Sequence, residues 1–324
     1  ESASAVIIAP KGVRISCRIR SPPILRPHFK ENNIPVIATN SVCEVCLQQI
    51  RGLQGNIATI SGIKAPHMQP MTSLCRDRLE NLSSLAQGFD LSWSFSAQGV
   101  EKRALFFLPA TSTAQSALTV AASLLGFDDL GLQEFAEATT GADALGMTLS
   151  QNGSVRLYLQ YWDALAKQVD QGDLTPAPLY LGLKRLAGGR ARRDVYFCLP
   201  MAPESEYRPE LETALLTFGA AAVPVANLLD QLTPETCIWT RTQGAGRQSW
   251  LATVRRAQIQ SQDVIDALAP IANRDGVDHV IAALRKGALL HIAGGQDEIK
   301  GSFLTFYVET DQSGMQAFLQ DLTV

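Results

Sequence analysis

The stretch Val155-Arg156-Leu157-Tyr158-Leu159-Gln160-Tyr161 alternates aliphatic and polar side chains. Successive residues of a β-strand point to opposite faces, so a strand here has one aliphatic face and one polar face. The polar face carries Arg156, Tyr158 and Gln160. Residues 145–149 and the turn Gln151-Asn152-Gly153-Ser154 come before it, which predicts a β-hairpin. A surface hairpin usually turns short residues and charges of both signs to water, whereas this face carries long hydrogen-bonding groups and no acid.

The same pattern recurs along the chain. Pairs of strands joined by tight turns are predicted at residues 89–95 with 103–108, 145–149 with 155–161, 179–186 with 194–199, 237–242 with 248–255, and 288–293 with 303–309. Apolar spacing predicts helices at residues 71–87, 114–125, 131–138, 163–169, 209–218, 224–232, 261–269, 275–285 and 315–322. Pro209 and Pro224 are predicted to open their helices, since proline is tolerated in the first turn.

This order of elements limits the topology. A βαβ fold needs single strands joined by helices, whereas each strand here has an antiparallel partner across a turn. Ten such strands can close into a barrel, and closure removes the exposed edges of an open sheet. The predicted fold class is α+β: a ten-stranded antiparallel barrel of five α-β-β-α repeats, surrounded by helices. One domain is expected over 1–324, with residues 1–70 as an irregular N-terminal part with a first helix and 71–324 as the barrel. The alternative is an open sheet with ordinary edges, as in an interaction protein.

Bulk properties exclude several classes of protein. A net charge of -3 does not indicate binding to nucleic acid. No apolar run approaches the roughly 20 residues of a membrane span. The opening apolar run Ala5-Val6-Ile7-Ile8-Ala9 is too short for a signal core, so we expect a cytoplasmic protein. Six scattered cysteines are too few for a disulfide scaffold. Cys43-Glu44-Val45-Cys46 has the spacing of zinc and redox sites, but no second pair completes a tetrahedral site. We interpret these two cysteines as lying on adjacent turns of a helix over residues 41–51, and we predict no metal site.

The inward faces of a barrel would share one lumen. There the alternation places Arg103, Arg156, Lys184, His291, Tyr158, Tyr196 and Tyr307, and the ambiguous strand 237–242 adds Trp239 and Arg241. Cations buried without counter-ions cost several kcal/mol each, so an anionic ligand should complete the cluster. Arginine, lysine and tyrosine hydroxyls suit a diphosphate. Aromatic ring faces stabilise a cation by roughly 0.5–2 kcal/mol each, which suits an allylic cation.

From about residue 75 to its end, the chain resembles the ABBA aromatic prenyltransferases, or PT-barrel enzymes. Residues 102–107 resemble the second barrel strand of cyanobactin prenyltransferases, in which an arginine binds the diphosphate. Residues 154–159 resemble the fourth strand, with Arg156 in place of the usual lysine. Asp194-Val195-Tyr196 and Phe306-Tyr307 resemble strands that give tyrosines to the shield around the allylic carbon. Many indole and peptide members have a glutamate on the first strand, whereas Leu91-Ser92-Trp93-Ser94 offers no carboxylate, as in phenol-type members.

The resemblance implies transfer of a dimethylallyl, geranyl or longer prenyl group from its diphosphate to an indole or phenol acceptor in secondary metabolism. Arg103, Arg156, Lys184 and Arg241 would bind the diphosphate, Tyr158, Tyr196 and Tyr307 would shield the cation, and Trp93, Trp239, Ser92 and His291 would contact the acceptor. No cofactor is required, although Mg²⁺ can accompany the diphosphate, and a monomer or weak homodimer is expected. The alternatives are prenylation of a peptide side chain and a non-catalytic barrel that binds an anionic amphiphile.

Overall fold

The computed structural model describes residues 4–8, 14–18, 73–186, 191–244, 246–271 and 274–322. The chain divides into two compact units, Glu1–His67 and Met68–Val324. In the first unit, strands β1 (Ser4–Ile8) and β2 (Arg14–Arg18) pair antiparallel, where the sequence predicted irregular structure. Cys43, Cys46 and the helix predicted over residues 41–51 lie outside the described residues. The single domain over 1–324 stays a prediction.

The second unit contains ten strands that form a closed antiparallel barrel. The strands are β3 (Gly88–Ser96), β4 (Gly99–Pro109), β5 (Ala144–Ser150), β6 (Val155–Gln160), β7 (Ala177–Arg185), β8 (Ala191–Leu199), β9 (Ile238–Gly244), β10 (Arg247–Thr253), β11 (Leu289–Asp297) and β12 (Gly301–Thr310). Each strand pairs with its neighbours in sequence, and β12 pairs with β3 to close the ring. The predicted barrel is confirmed, and the open-sheet alternative is wrong because neither β3 nor β12 has a free edge.

Nine helices are described in this unit. They are α1 (Ser73–Leu85), α2 (Ser112–Leu124), α3 (Asp129–Ala138), α4 (Trp162–Asp170), α5 (Glu204–Leu216), α6 (Val223–Leu229), α7 (Ser261–Leu268), α8 (Arg274–Leu284) and α9 (Gln312–Asp321). Side chains of Thr111, Asp128 and Asp311 cap α2, α3 and α9 by accepting backbone N–H groups of the first turn. Among the described helices, none has the length and apolarity needed to cross a membrane.

One predicted helix start is wrong. Helix α5 begins at Glu204, so Pro209 lies inside it instead of opening it. Proline inside a helix removes one backbone hydrogen bond, and acidic residues at Glu204 and Glu206 favour a helix start before it. Pro224 lies in the first turn of α6, as predicted.

The core lies between the outer face of the barrel and the helices. Every second residue of the strands points outward, and side chains such as Phe106, Leu157 and Phe306 are completely buried there. Leu79 and Phe318 approach the same apolar layer from helices α1 and α9. Because a one-residue slip would turn this apolar set into the lumen, burial of the outer face fixes the register of each strand.

Phe106 tests this outer layer. Its ring is fully buried and meets Phe89 edge-on with 6.1 Å between centroids. We expect Phe106→Ala to lower the free energy of unfolding by about 3–5 kcal/mol, because the cavity cannot fully collapse. Leu130→Ala, at a side chain that is 69% exposed, should change it by less than about 0.5 kcal/mol. Urea denaturation measures both, and equal effects would contradict the assigned faces.

Candidate active site

The barrel lumen has two ends of different chemistry. At the hairpin end, segments of two to five residues separate the paired strands β3–β4, β5–β6, β7–β8, β9–β10 and β11–β12 in the sequence. Helices α2 to α8 lie in the longer segments that connect the strands at the other end, the helix end. Cations gather at the hairpin end: Arg103, Arg156, Lys184, Arg192, Arg247 and Lys300. Inward residues towards the helix end are mostly neutral: Asp90, Leu105, Phe107, Gln160, Leu251 and His291. The lumen is therefore electrically polarised along its axis.

A buried carboxylate organises part of the cation cluster. Asp194 is completely buried, with Arg156 Nη2 at 3.1 Å and Arg192 Nε at 3.3 Å from its oxygens. Arg156 also donates to the hydroxyls of Tyr158 and Tyr196, at 3.3 Å for Tyr158. Burial alone would lower the pKa of Arg156, but the two tyrosines and Asp194 raise it well above its ordinary value. The guanidinium is thus held charged and fixed beside two phenol groups.

A second ion pair lies at the rim of the hairpin end. Lys300 Nζ is 2.9 Å from Glu101 Oε2 and 3.4 Å from Ser94 Oγ. Burial raises the pKa of Glu101, but Arg103 and Lys300 outweigh burial and lower that pKa to about 2. Burial and Arg103 lower the pKa of Lys300 to about 8. Arg103 itself donates to Thr305 Oγ1 at 3.2 Å.

The cations outnumber the acids at the hairpin end. Arg192 also reaches Asp297 and Glu298, at 4.0 Å and 3.6 Å. Six cations thus share four carboxylates: Glu101, Asp194, Asp297 and Glu298. Because charge in a low-dielectric site needs compensation, the excess positive charge makes this end suited to bind an anion.

Tyrosine rings lie between the two ends. The ring centroids of Tyr158 and Tyr196 are 6.0 Å apart, and Tyr180 meets Tyr196 edge-on at 6.2 Å. A Cβ at Gly182 would lie 3.2 Å from the rings of both Tyr158 and Tyr196, so glycine at this position lets the two rings approach each other. Tyr307 lies across the lumen, with the Arg103 guanidinium 5.9 Å from its ring centre. We call these four side chains the tyrosine belt.

The tyrosine belt lines a cavity, which Arg247 also lines. Its walls towards the helix end are largely apolar, with Leu105, Phe107 and Leu251 among them. His291 lies there with its Nδ1 2.9 Å from Thr253 Oγ1, and burial lowers its pKa to about 4. The cavity therefore joins the cationic end to a neutral apolar compartment.

Asp90 is an ionisable group in this compartment that the sequence analysis did not assign. It is 1% exposed, lines the cavity, and neither carboxylate oxygen has a hydrogen-bond partner. Burial raises its pKa to about 7, against an opposing effect of Arg103. The run Leu91-Ser92-Trp93-Ser94 holds no carboxylate, but Asp90, one residue before it on the same strand, shares the inward face with Ser92 and Ser94. Its place in the alternation, two residues before Ser92, was the available signal.

Three of the predicted site residues lie outside the lumen, so those assignments are wrong. Arg241 points to helix α5, with its Nε 2.7 Å from Glu210. Trp239 stacks on Tyr207 of the same helix at 4.5 Å between centroids. Trp93 pairs in register with Phe306 and packs in the outer apolar layer.

The other predicted site residues face inward. The structure brings together Arg103, Arg156, Lys184, Tyr158, Tyr196, Tyr307, Ser92 and His291 on the lumen side of the strands. Sequence reasoning missed Arg192, Arg247 and Lys300 at the hairpin end, and Tyr180 in the tyrosine belt. Arg192 precedes Asp194 by two residues and could have been found from the same alternation. Within the described ranges, no group of three or more His, Cys, Asp or Glu side chains could hold a metal ion, and the part played by Mg²⁺ stays a prediction.

Solved structures with a similar fold are known. The 5-dimethylallyltryptophan synthase from Streptomyces coelicolor matches with a TM-score of 0.51 and 14% identity over 75% of this chain and 93% of that one. Its structure in complex with DMASPP and Trp gives 0.51 and 13%, over 73% and 88%. The apo form of the prenyltransferase PriB gives 0.50 and 14%, over 69% and 80%. The chain has the PT-barrel fold of the ABBA aromatic prenyltransferases. No protein-family model and no curated protein sequence matches the chain.

The buried carboxylate of Asp90 should make stability depend on pH. Its pKa is 3.8 in the unfolded chain and about 7 in the folded protein, so the folded state holds the proton more tightly. Stability should therefore fall as pH rises from about 4 to 7. We expect Asp90→Asn to remove this pH dependence. The unfolding free energy of the variant minus that of the wild type should therefore be about 3 kcal/mol larger at pH 8 than at pH 4.5.

Urea denaturation at the two pH values measures this difference. The exposed carboxylate of Asp77 in α1 provides the control, since Asp77→Asn should change stability by less than about 0.5 kcal/mol at both values. A destabilised Asp90→Asn variant at pH 8 would contradict the burial of an ionising group at this position.

Proposed function

We propose that the protein is an aromatic prenyltransferase, which moves a dimethylallyl group from its diphosphate to an electron-rich arene. The observation that carries this proposal is the polarised lumen: excess cations at one end, the tyrosine belt in the middle, and an unpartnered carboxylate in an apolar compartment at the other end. The solved complex of the Streptomyces coelicolor enzyme with DMASPP and Trp supports it, since that enzyme has the same fold. A geranyl or longer donor and a peptide side chain as acceptor remain variants of the same chemistry.

The diphosphate would bind at the hairpin end. Arg103, Arg156 and Lys184 were predicted for this role, and Arg192, Arg247 and Lys300 extend the set. As the allylic C–O bond breaks, its electron pair leaves with the diphosphate, and preorganised cations stabilise the growing negative charge. These side chains supply that positive charge, so the proposal does not require Mg²⁺.

The prenyl group would lie within the tyrosine belt. Its ring faces stabilise the developing allylic cation, at roughly 0.5–2 kcal/mol per ring. The phenol hydroxyls of Tyr158 and Tyr196 accept hydrogen bonds from Arg156, which leaves the ring faces and edges to line the cavity. An enclosed wall of this kind also keeps water from capturing the cation.

The acceptor would bind beyond the belt, where its ring attacks the allylic carbon. The π electrons of the arene form the new C–C bond, and the arene then loses a proton to restore aromaticity. Asp90 is placed to take a proton from the ring or its substituent, and a pKa of about 7 suits a general base near neutral pH. Ser92 and His291 stay proposed acceptor contacts, whereas Trp93 and Trp239 lie outside the lumen.

Turnover is the first test of this function. We expect incubation with dimethylallyl diphosphate and a panel of indoles and phenols to give prenylated products, detected by mass spectrometry. Asp90→Asn should lower kcat/KM by roughly 10²–10⁴-fold, because general-base catalysis contributes about that much. Binding of dimethylallyl thiolodiphosphate to this variant should stay within about threefold of wild type. Tight diphosphate binding without any product would favour a non-catalytic barrel that binds an anionic amphiphile.

The position of the diphosphate site is tested by matched arginine variants. We expect Arg103→Gln and Arg156→Gln to weaken the binding of dimethylallyl thiolodiphosphate by about 10- to 150-fold, since hydrogen bonds to charged groups contribute about 1.5–3 kcal/mol. Arg241→Gln, on the outer face, should change binding less than about twofold. Isothermal titration calorimetry measures binding, and near-UV circular dichroism checks that each variant is folded. Equal effects from all three substitutions would place the anion elsewhere.

A further inference from the structure

The side chains at the helix end of the lumen indicate which charge and which hydrogen-bonding groups an acceptor should have. Among the described residues, the ionisable groups at this end include Asp90, Tyr180, Cys198 and His291. Burial drives each of them towards its uncharged form: it raises the pKa of Tyr180, raises that of Cys198 to about 12, and lowers that of His291 to about 4. Burial also raises the pKa of Asp90 to about 7. This compartment is built to hold neutral groups.

Two polar side chains of this compartment bond to other partners. Gln160 donates its amide to Asp143 Oδ1 at 3.0 Å, and His291 is bonded to Thr253. Both oxygens of Asp90 remain without a partner in a wall that includes Leu105 and Phe107. A buried acceptor atom without a donor costs free energy, so a ligand that brings an N–H or O–H group gains by binding here.

In the described part of the chain, a carboxylate would find no cationic partner in the same compartment. Among the described residues, the inward-facing cations all lie at the hairpin end. Arg255 follows β10 at the helix end, but its side chain is 61% exposed and already pairs with Glu309 at 3.1 Å. A carboxylate buried beside Asp90 would therefore be repelled by it and would lack an ion pair, which costs several kcal/mol.

We infer that the acceptor is an uncharged arene with one N–H or O–H donor, and that a free amino acid or an arene carboxylic acid is a poor acceptor. The donor binds Asp90, and the ring packs among Leu105, Phe107, Leu251 and Ala293. This inference rests on the proposed function. It sets this chain apart from the enzyme of similar fold that was solved with Trp, because tryptophan carries a carboxylate.

Matched pairs of acceptors test the inference. Wild-type protein and dimethylallyl diphosphate are combined at pH 8 with indole against indole-3-acetate, and with 1-naphthol against 1-hydroxy-2-naphthoate. We expect kcat/KM for each neutral member to be at least tenfold higher than for its carboxylated partner. N-methylindole, which lacks the donor, should fall at least tenfold below indole. Tryptophan should be turned over no better than indole-3-acetate.

Equilibrium binding separates the role of Asp90 from catalysis. With dimethylallyl thiolodiphosphate bound, wild-type protein should bind indole at least tenfold more tightly than indole-3-acetate, and Asp90→Asn should reduce this preference to within about threefold. Product formation with carboxylated acceptors preferred would overturn the inference while supporting the proposed function. If no acceptor of either kind is prenylated, the proposed function fails, and the inference with it.

Discussion

Closure of the barrel is the constraint on which the rest of the structure depends. When β12 pairs with β3, every second side chain of ten strands must lie in a space enclosed by protein. Charge in such a space is costly unless it is compensated, so each inward residue must be apolar, neutral, ion-paired or completed by a ligand. The two ends of the lumen meet this demand in different ways, and that difference gives the molecule its chemistry.

At the hairpin end, carboxylates hold the cations in place. Asp194 lies between Arg156 and Arg192, and Glu101 pairs with Lys300 across the rim. These pairs fix the directions of the guanidinium and ammonium groups and still leave positive charge in excess. An anion that binds there meets side chains whose geometry is already set, which lowers the entropic cost of binding. At the helix end, burial instead suppresses charge, and Asp90 is left without a partner.

Much of this architecture follows from alternation in the sequence. Strand β6 has an unbroken aliphatic face, so the inward position of Arg156 and Tyr158 could be read directly, as could that of Tyr307 on β12. Strand β9 offers no such face: in Ile238-Trp239-Thr240-Arg241-Thr242, both sets of alternate residues contain groups that suit a lumen. Only the packing of Trp239 on Tyr207 and the ion pair of Arg241 with Glu210 decide it. Those partners are distant in sequence, so the local pattern could not supply the answer.

Lys300 was missed for a related reason, because a turn residue has no alternation to follow. Asp90 was within reach of the same alternation as Ser92.

The central claim is that the hairpin end binds a diphosphate and the tyrosine belt encloses its prenyl chain. The most direct measurement is a crystal structure of the protein with dimethylallyl thiolodiphosphate. The account predicts that oxygens of the diphosphate lie within hydrogen-bond distance of Arg103 and Arg156. The dimethylallyl carbons should lie among Tyr158, Tyr196 and Tyr307. A diphosphate bound on the outer face of the barrel, or a prenyl chain that leaves the lumen, would contradict it.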